Sequence, residues 1–396
     1  MPKNIIIISP VATHPQDAGH RSRIFSLVSM LKHWGHQVFL VYLQGRFQQT
    51  SPDSLPAMRQ FWGSHLFLPD FEELGNAKKK GSSWNATLAE DWEADDWYDD
   101  RLDAFLLDLE RQLSPDIVFV EYAYLSKALE CFGDSTLKVL DTHDVFAGRN
   151  RKTRQAGVRR TYPAPSFTEN AESEALGRAD VVVAIQENDR VHFSQMTDKE
   201  VLTVGHTVEL RNPGPKRPSG HKMLFFGSAS DINRSSLQWF SKEILPTIRD
   251  LTPKAELWVA GFVCNRNQAP AEGVRNLGYV PDISAVLEDV DVVVNPNFFA
   301  TGLSIKTMTT LGHGKPLVST RVGVRGLEHG AGEAFLVARN TGEFAEHVIR
   351  VLSDPELAAE LSRGAFRFAK RSNEKNAKTL RNLVGRQSNL HPPKQF

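Results

Sequence analysis

Three short runs hold residue types that can grip a phosphate or orient a reacting group. The first is ATGLSIKTMTTLGHGKP, from Ala300 to Pro316. Gly302 removes a Cβ, so that backbone can approach a ligand closely. Thr301 and Ser304 bring hydroxyls, and Lys306 brings a positive charge at the start of a helical pattern. A diphosphate at that helix start gains N–H donors and the dipole, about 0.3–1 kcal/mol each at an exposed site. The second run, VLDTHD from Val139 to Asp144, is an apolar strand delivering Asp141, His143 and Asp144 at its carboxyl end. The third, HPQDAGHRSR from His14 to Arg23, places Gly19 before a helix whose first turn holds His20, Arg21 and Arg23. A solvated helix face is an equal reading for the two arginines. The dinucleotide fingerprint GxGxxG does not follow the first strand, which argues against an NAD or FAD enzyme.

These runs need a scaffold that brings them together. Residues 4–9 (NIIIIS) form a continuous apolar run, the pattern of a strand buried on both faces of a parallel sheet. Ile24, Leu27, Val28 and Leu31 then recur at helical spacing, Gly35 ends the helix, and VFLVYL is the next strand. Further strands are expected at Ile117–Val120, Val139–Asp141 and Val181–Ile185. The polar, Trp-rich stretch at about 77–101 reads as an insertion, or as a mobile helical hairpin packing on the sheet through its tryptophans. Residues 211–222 (RNPGPKRPSGHK) are Pro/Gly-rich without periodicity and read as a linker. MLFFGS opens a second β/α series, and helices are expected at 343–352, 356–371 and 374–385. The expected architecture is therefore α/β, with two Rossmann-like domains, 1–210 and 223–396, facing each other across a cleft. The last helices are able to pack back on the first domain. Ligand sites favour such a cleft, at the carboxyl edges of parallel sheets.

Bulk properties narrow the field. With 396 residues, two or three domains are expected. Lys+Arg and Asp+Glu both number 47, so global charge gives no reason to expect nucleic acid. Cys131 and Cys264 lie far apart without metal-ligand spacing, which fits a reducing compartment. No run of about 18 apolar residues occurs, and the expected location is cytoplasmic, with peripheral contact at an inner membrane left open.

The run from Gly227 through GYVPDI, ATGLSIK, GKPLVSTRVGVRGL and GEAFLVARNTGEFAEHVIRVLSDP resembles, in order over about 150 residues, the C-terminal domain of group 1 glycosyltransferases. These belong to glycosyltransferase family 4 and have the two-domain GT-B fold. The resemblance implies a retaining enzyme that moves a sugar from a nucleotide-diphosphate donor to a hydroxyl acceptor, in bacterial polysaccharide or glycoconjugate synthesis. It implies catalytic roles for His143, beside the anomeric centre, and for Lys306. Donor binding is implied for Gly19, Gly227, Ser228, Arg234, Val280, Thr301, Gly302, Leu303, Ser304 and Thr309, with Val280 at the nucleobase. Glu121 and Asp144 are implied on the acceptor side, although a structural role is an equal reading for Glu121, and Asp144 also reads as a cap or an anchor for His143.

Two positions depart from the family. The Glu that grips the ribose is here Thr309, and its usual acidic partner is Thr301. A hydroxyl offers a neutral hydrogen bond where a carboxylate offers a charge-assisted one. No cofactor is expected, since the nucleotide sugar is a substrate. No metal is expected either, because DVD at 289–291 leads into a buried strand. The expected acceptor is a carbohydrate, a lipid-linked sugar or a protein. The basic run at 148–160 reads as a solvated loop or as a contact with an anionic lipid-linked acceptor. Two other readings stay open: a nucleotide-sugar epimerase of the same fold, and a non-catalytic partner subunit.

Overall fold

The computed structural model describes residues 1–44, 53–70, 91–157, 165–212, 221–264, 271–300 and 302–386. Thr301, positions 77–90 of the Trp-rich stretch, 213–220 of the linker and 158–160 of the basic run lie outside the described residues.

The first sheet contains β1 (Asn4–Ser9), β2 (Gln37–Tyr42), β3 (Leu66–Phe67), β4 (Ile117–Glu121), β5 (Leu137–Asp141), β6 (Val181–Ala184) and β7 (Glu200–Thr203). Its order is β3-β2-β1-β4-β5-β6-β7, all parallel. Ile5 pairs with Val38 on one side and Ile117 on the other. Ile5 to Ile8 are fully buried, as a central strand covered on both faces requires. The helices are α1 (Gly19–His33), α2 (Ser54–Trp62), α3 (Leu102–Leu113), α4 (Arg149–Gln155), α5 (Glu169–Gly177) and α6 (Glu187–Phe193). The apolar stripe Ile24, Leu27, Val28 and Leu31 seats α1 on the sheet. Trp-rich residues 91–101 form turns and a bridge from Trp92 to Phe167 rather than a helical hairpin.

The second sheet contains β8 (Lys222–Phe226), β9 (Glu256–Ala260), β10 (Val274–Gly278), β11 (Val292–Asn295), β12 (Leu317–Thr320) and β13 (Leu336–Ala338). Its order is β10-β9-β8-β11-β12-β13, again parallel. The helices are α7 (Asp231–Trp239), α8 (Leu245–Leu251), α9 (Ser284–Asp289), α10 (Ile305–Gly312), α11 (Thr341–Ser353) and α12 (Pro355–Val384). Between α7 and α8, Phe240–Ile244 widens into a π turn. Pro246, which lacks an N–H and crowds the preceding turn, accounts for that local change in spacing.

The helices expected at 356–371 and 374–385 are one 30-residue helix, α12. No Gly or Pro interrupts it between 365 and 384, and its polar residues there are used rather than broken at. Asn376 Oδ1 accepts from the Gly205 amide (2.9 Å), and Asn373 Oδ1 accepts from the Val208 amide (3.0 Å). Ala358 and Leu361 pack in the second core, whereas Leu380, Leu383 and Val384 pack in the first. One helix thus ties both sheets together. Among the described residues no helix is long and apolar enough to cross a membrane.

Strand order reverses between β1 and β4 in one sheet and between β8 and β11 in the other. The loops leaving these strands open into crevices at the carboxyl edges. The two crevices line one cleft of about 1470 Å³.

Candidate active site

The C-terminal wall begins at the end of β11. Asn295 donates to Ser304 Oγ (3.1 Å), to Thr307 Oγ1 (3.0 Å) and to the Gly323 carbonyl (3.1 Å). These bonds pin the loop that starts α10. The Ser304 hydroxyl, read from sequence as a ligand contact, is therefore engaged within this loop. Lys306 projects from the first turn, where its ammonium donates to Asn233 Oδ1 (2.7 Å) and lies 4.5 Å from the Phe225 ring centroid. No carboxylate pairs with it among the described residues. Burial alone lowers its pKa to about 7. A cation kept out of water without a counter-ion is poised to receive an anion.

Asn233 is the residue that sequence reading missed here. It accepts from Lys306 while its Nδ2 donates to the Ser228 carbonyl (3.0 Å), so it links the loop after β8 to α10. Gly227 makes room for it: a Cβ there would lie 2.7 Å from Asn233 Nδ2. The Gly227 amide, expected to face a diphosphate, instead donates to the Ala260 carbonyl (3.1 Å). Both Gly227 and Ser228 still line the cleft. Arg234 lines it too, paired with Asp231 (2.8 Å) on the first turn of α7. Val280 and Leu303 are wall residues, and next to Val280 the exposed Tyr279 stacks on Phe262 at 4.7 Å. Thr309 faces the cleft, its hydroxyl donating back to the Ile305 carbonyl (3.0 Å). No carboxylate takes its place on α10.

On the N-terminal wall, β4 and β5 pair in register so that Glu121 and Asp141 stand side by side. Arg23 reaches from α1 to make a two-pronged pair with Asp141 (2.6 and 3.1 Å). Arg21 contacts Asp17 at 3.3 Å. Neither arginine is a solvated helix residue, because both side chains are buried. His143 Nε2 is 2.5 Å from Glu121 Oε2 and 3.8 Å from Asp141 Oδ2. Its ring stacks on Tyr122 at 4.1 Å, and both residues hold positive φ, +59° and +76°. Side chains rarely adopt that region, and such outliers concentrate at functional sites. Burial and the neighbouring Asp141 push the Glu121 carboxyl up to about 7, while His143 opposes that rise.

Glu121 is fully buried and is not part of the cleft lining, so it does not face an acceptor. Its place beneath His143 makes it an anchor for the imidazole. Asp144 does line the cleft. Glu121, Asp141 and His143 bring ligand atoms within 4.8 Å of one another. Arg23 already occupies both Asp141 oxygens, and a cation there would sit against a buried guanidinium. The DVD run is used structurally: Asp291 Oδ2 accepts from the His221 and Lys222 amides (3.0 and 2.9 Å).

The walls meet at two glycines. A Cβ at Gly19 would lie 2.9 Å from Ile305 Cγ1, across the cleft. One at Gly302 would lie 2.6 Å from Asp144 Oδ1 and 2.7 Å from the His143 carbonyl oxygen. Read from sequence as sites of close ligand approach, both are also sites of close domain approach.

Residues 220–354 match the family described as "Glycosyl transferases group 1". No curated protein matches the chain. Similar solved structures include sucrose-phosphate synthase from Thermosynechococcus elongatus, at 12% identity and TM-score 0.68, covering 97% of this chain and 98% of that one. A TarM mutant from S. aureus, in complex with fondaparinux, α-GlcNAc-glycerol and UDP, gives 11% and 0.66 over 97% and 100%. HepE from Anabaena, in complex with UDP and glucose, gives 14% and 0.61 over 96% and 99%. The two facing parallel sheets are the GT-B fold of these structures, and the C-terminal sheet with its helices, residues 220–354, is the part of the chain that matches the group 1 glycosyltransferase family.

Proposed function

We propose that this protein transfers a sugar from a nucleoside-diphosphate donor to a hydroxyl acceptor, retaining anomeric configuration and using no metal ion. The observation that carries the reading is Lys306: a buried ammonium without a carboxylate partner among the described residues, at the first turn of a helix, across the cleft from His143. A leaving diphosphate supplies the missing counter-charge. Its stabilisation falls to Lys306, to the N-terminal turn of α10 and to Arg234 at the cleft edge. Preorganised groups of this kind are typically the largest single contribution to catalysis where charge develops on a leaving group.

On the opposite wall, His143 is tied inward through Nε2 by Glu121, and Nδ1 is left to meet the donor sugar. The acceptor hydroxyl then attacks from the diphosphate side, where the departing oxygens accept its proton, and the configuration is retained. Solved neighbours were captured with UDP, and HepE also with UDP-glucose. A uridine nucleotide is therefore the first donor to try.

The test is calorimetric titration of the full chain with UDP, GDP and ADP, followed by a transfer assay with the matching sugar nucleotides. Binding of one diphosphate, lost in Lys306→Ala with the fold intact by circular dichroism, is the expected result. Absence of binding for all three sinks the reading.

A further inference from the structure

If the diphosphate belongs to the C-terminal wall, as proposed above, the N-terminal wall is left to the acceptor. That wall is aromatic. Trp97 lines the cleft with Trp92 behind it at 4.6 Å, and its ring contacts Tyr124 at 5.5 Å. Tyr124 meets Phe146 edge-on at 5.7 Å, and the Arg149 guanidinium lies 5.5 Å from the Phe146 ring. The segment that carries the tryptophans is anchored. The Trp92 amide donates to the Ser166 carbonyl (2.7 Å), and Arg178 pairs with Asp95 (2.6 Å). Trp97 and Arg149 are the half-exposed members of this wall.

Arg149 stands out beside Arg23 and Arg178. Arg23 is saturated by Asp141, and Arg178 by Asp95, Glu130 and Glu174. Among the described residues Arg149 has one carboxylate near it, Asp144 at 3.9 Å, which is beyond hydrogen-bond range. Its Nε is buried with no partner among the described residues. A partly buried guanidinium with an unmatched Nε beside a cavity is costly unless a ligand completes it. The planar fork of Arg fits a carboxylate or a phosphate through two parallel bonds. The flat face of Trp97 fits the C–H-rich face of a sugar ring, an apolar body with polar edges.

We propose that this wall binds an acidic sugar as the acceptor, its ring lying on Trp97 and its carboxylate or phosphate held by Arg149. A neutral acceptor would leave the guanidinium unmatched. Asp144 is the anion nearest to Arg149, and its loose contact leaves both forks open to a better-placed acid.

The test measures binding of ring-matched probes to the full chain saturated with the nucleoside diphosphate that it binds. The probes are the 4-nitrophenyl β-glucoside, the corresponding β-glucuronide and glucose 6-phosphate, with farnesyl phosphate as a lipid-borne anion lacking a ring. The acidic sugars should bind at least about tenfold tighter than the glucoside. Arg149→Gln should erase that preference without moving nucleotide affinity, and Arg149→Lys should restore part of it. Trp97→Ala should weaken glucoside and glucuronide alike. Equal affinity for glucoside and glucuronide in the unmodified protein overturns the proposal and needs no variant. So does tighter binding of farnesyl phosphate than of either acidic sugar, or a loss of nucleotide affinity in Arg149→Gln, which would place Arg149 on the donor. Failure to bind any nucleoside diphosphate strikes the underlying glycosyltransferase reading instead.

Discussion

Lys306 shows how burial turns an ordinary side chain into a sensor for a ligand. Its ionisation falls to about 7 because the ammonium is kept out of water and Asn233 gives it only a neutral acceptor. The unfolded chain holds this proton up to about pH 10.4. Between the two values the unfolded state therefore binds more protons, and this group adds stability to the ligand-free protein as pH rises. A bound diphosphate reverses the balance by favouring the charged form. Nucleotide binding at pH 8 should take up close to one proton, and affinity should fall by up to about tenfold per pH unit above 7. Calorimetry in two buffers of different ionisation enthalpy reads that uptake directly. The same uptake in Lys306→Met would remove Lys306 from the linkage.

Thr309 makes a second prediction at this scale. Its hydroxyl is spent on its own helix, and α10 offers no carboxylate to a ribose. Thr309→Glu should tighten diphosphate binding about fivefold, the difference between a neutral and a charge-assisted bond. Weaker binding would mean that the ribose lies elsewhere. For His143, Glu121→Gln keeps the shape of the anchor and removes its charge. Turnover should fall at least about tenfold with nucleotide affinity nearly unchanged, and the pH–rate profile should shift. An unmoved profile would leave Glu121 a packing residue.

At the level of elements, the walls of the cleft are set by how closely loops and helices approach. Gly302 touches the His143–Asp144 turn, and Gly19 touches Ile305, because neither carries a side chain. Gly302→Ala must push the turn or the α10 loop outward. Since misplacement by about 1 Å can cost a hundredfold in rate, turnover should drop far more than thermal stability. Activity within twofold of the unmodified protein would show that the contact is not part of the reacting geometry. Helix α12 acts on a longer reach, crossing from one core to the other and bonding the backbone at 205–208 through Asn373 and Asn376. It supplies a stiff strut between the domains.

For the whole molecule, the domains are also joined beyond the glycines. Arg325 of the C-terminal domain pairs with buried Asp189 on α6 at 3.2 Å and donates to the Ala300 carbonyl at 3.3 Å. Losing that link should favour an open cleft, and an open cleft admits water to the donor. Arg325→Ala is therefore expected to enlarge the radius of gyration in solution scattering and to raise donor hydrolysis relative to transfer. An unchanged hydrolysis-to-transfer ratio would count against a role in closure.

Local sequence was enough to specify the parallel β/α plan, because runs such as Ile5–Ile8 and Val292–Val294 are apolar in a way only doubly covered strands tolerate. It also marked the loops of the site, since Gly302, Lys306 and His143 sit where strands end and ligands settle. Chain-distant partners decided the rest. Nothing near Arg23 points to Asp141, nothing near Lys306 points to Asn233, and nothing near Arg149 shows that it would stay unmatched. Charge state, tautomer anchoring and the meeting of glycines depend on burial and on contacts between residues dozens to more than a hundred positions apart. Those contacts exist only once both sheets and the helix that joins them have assembled.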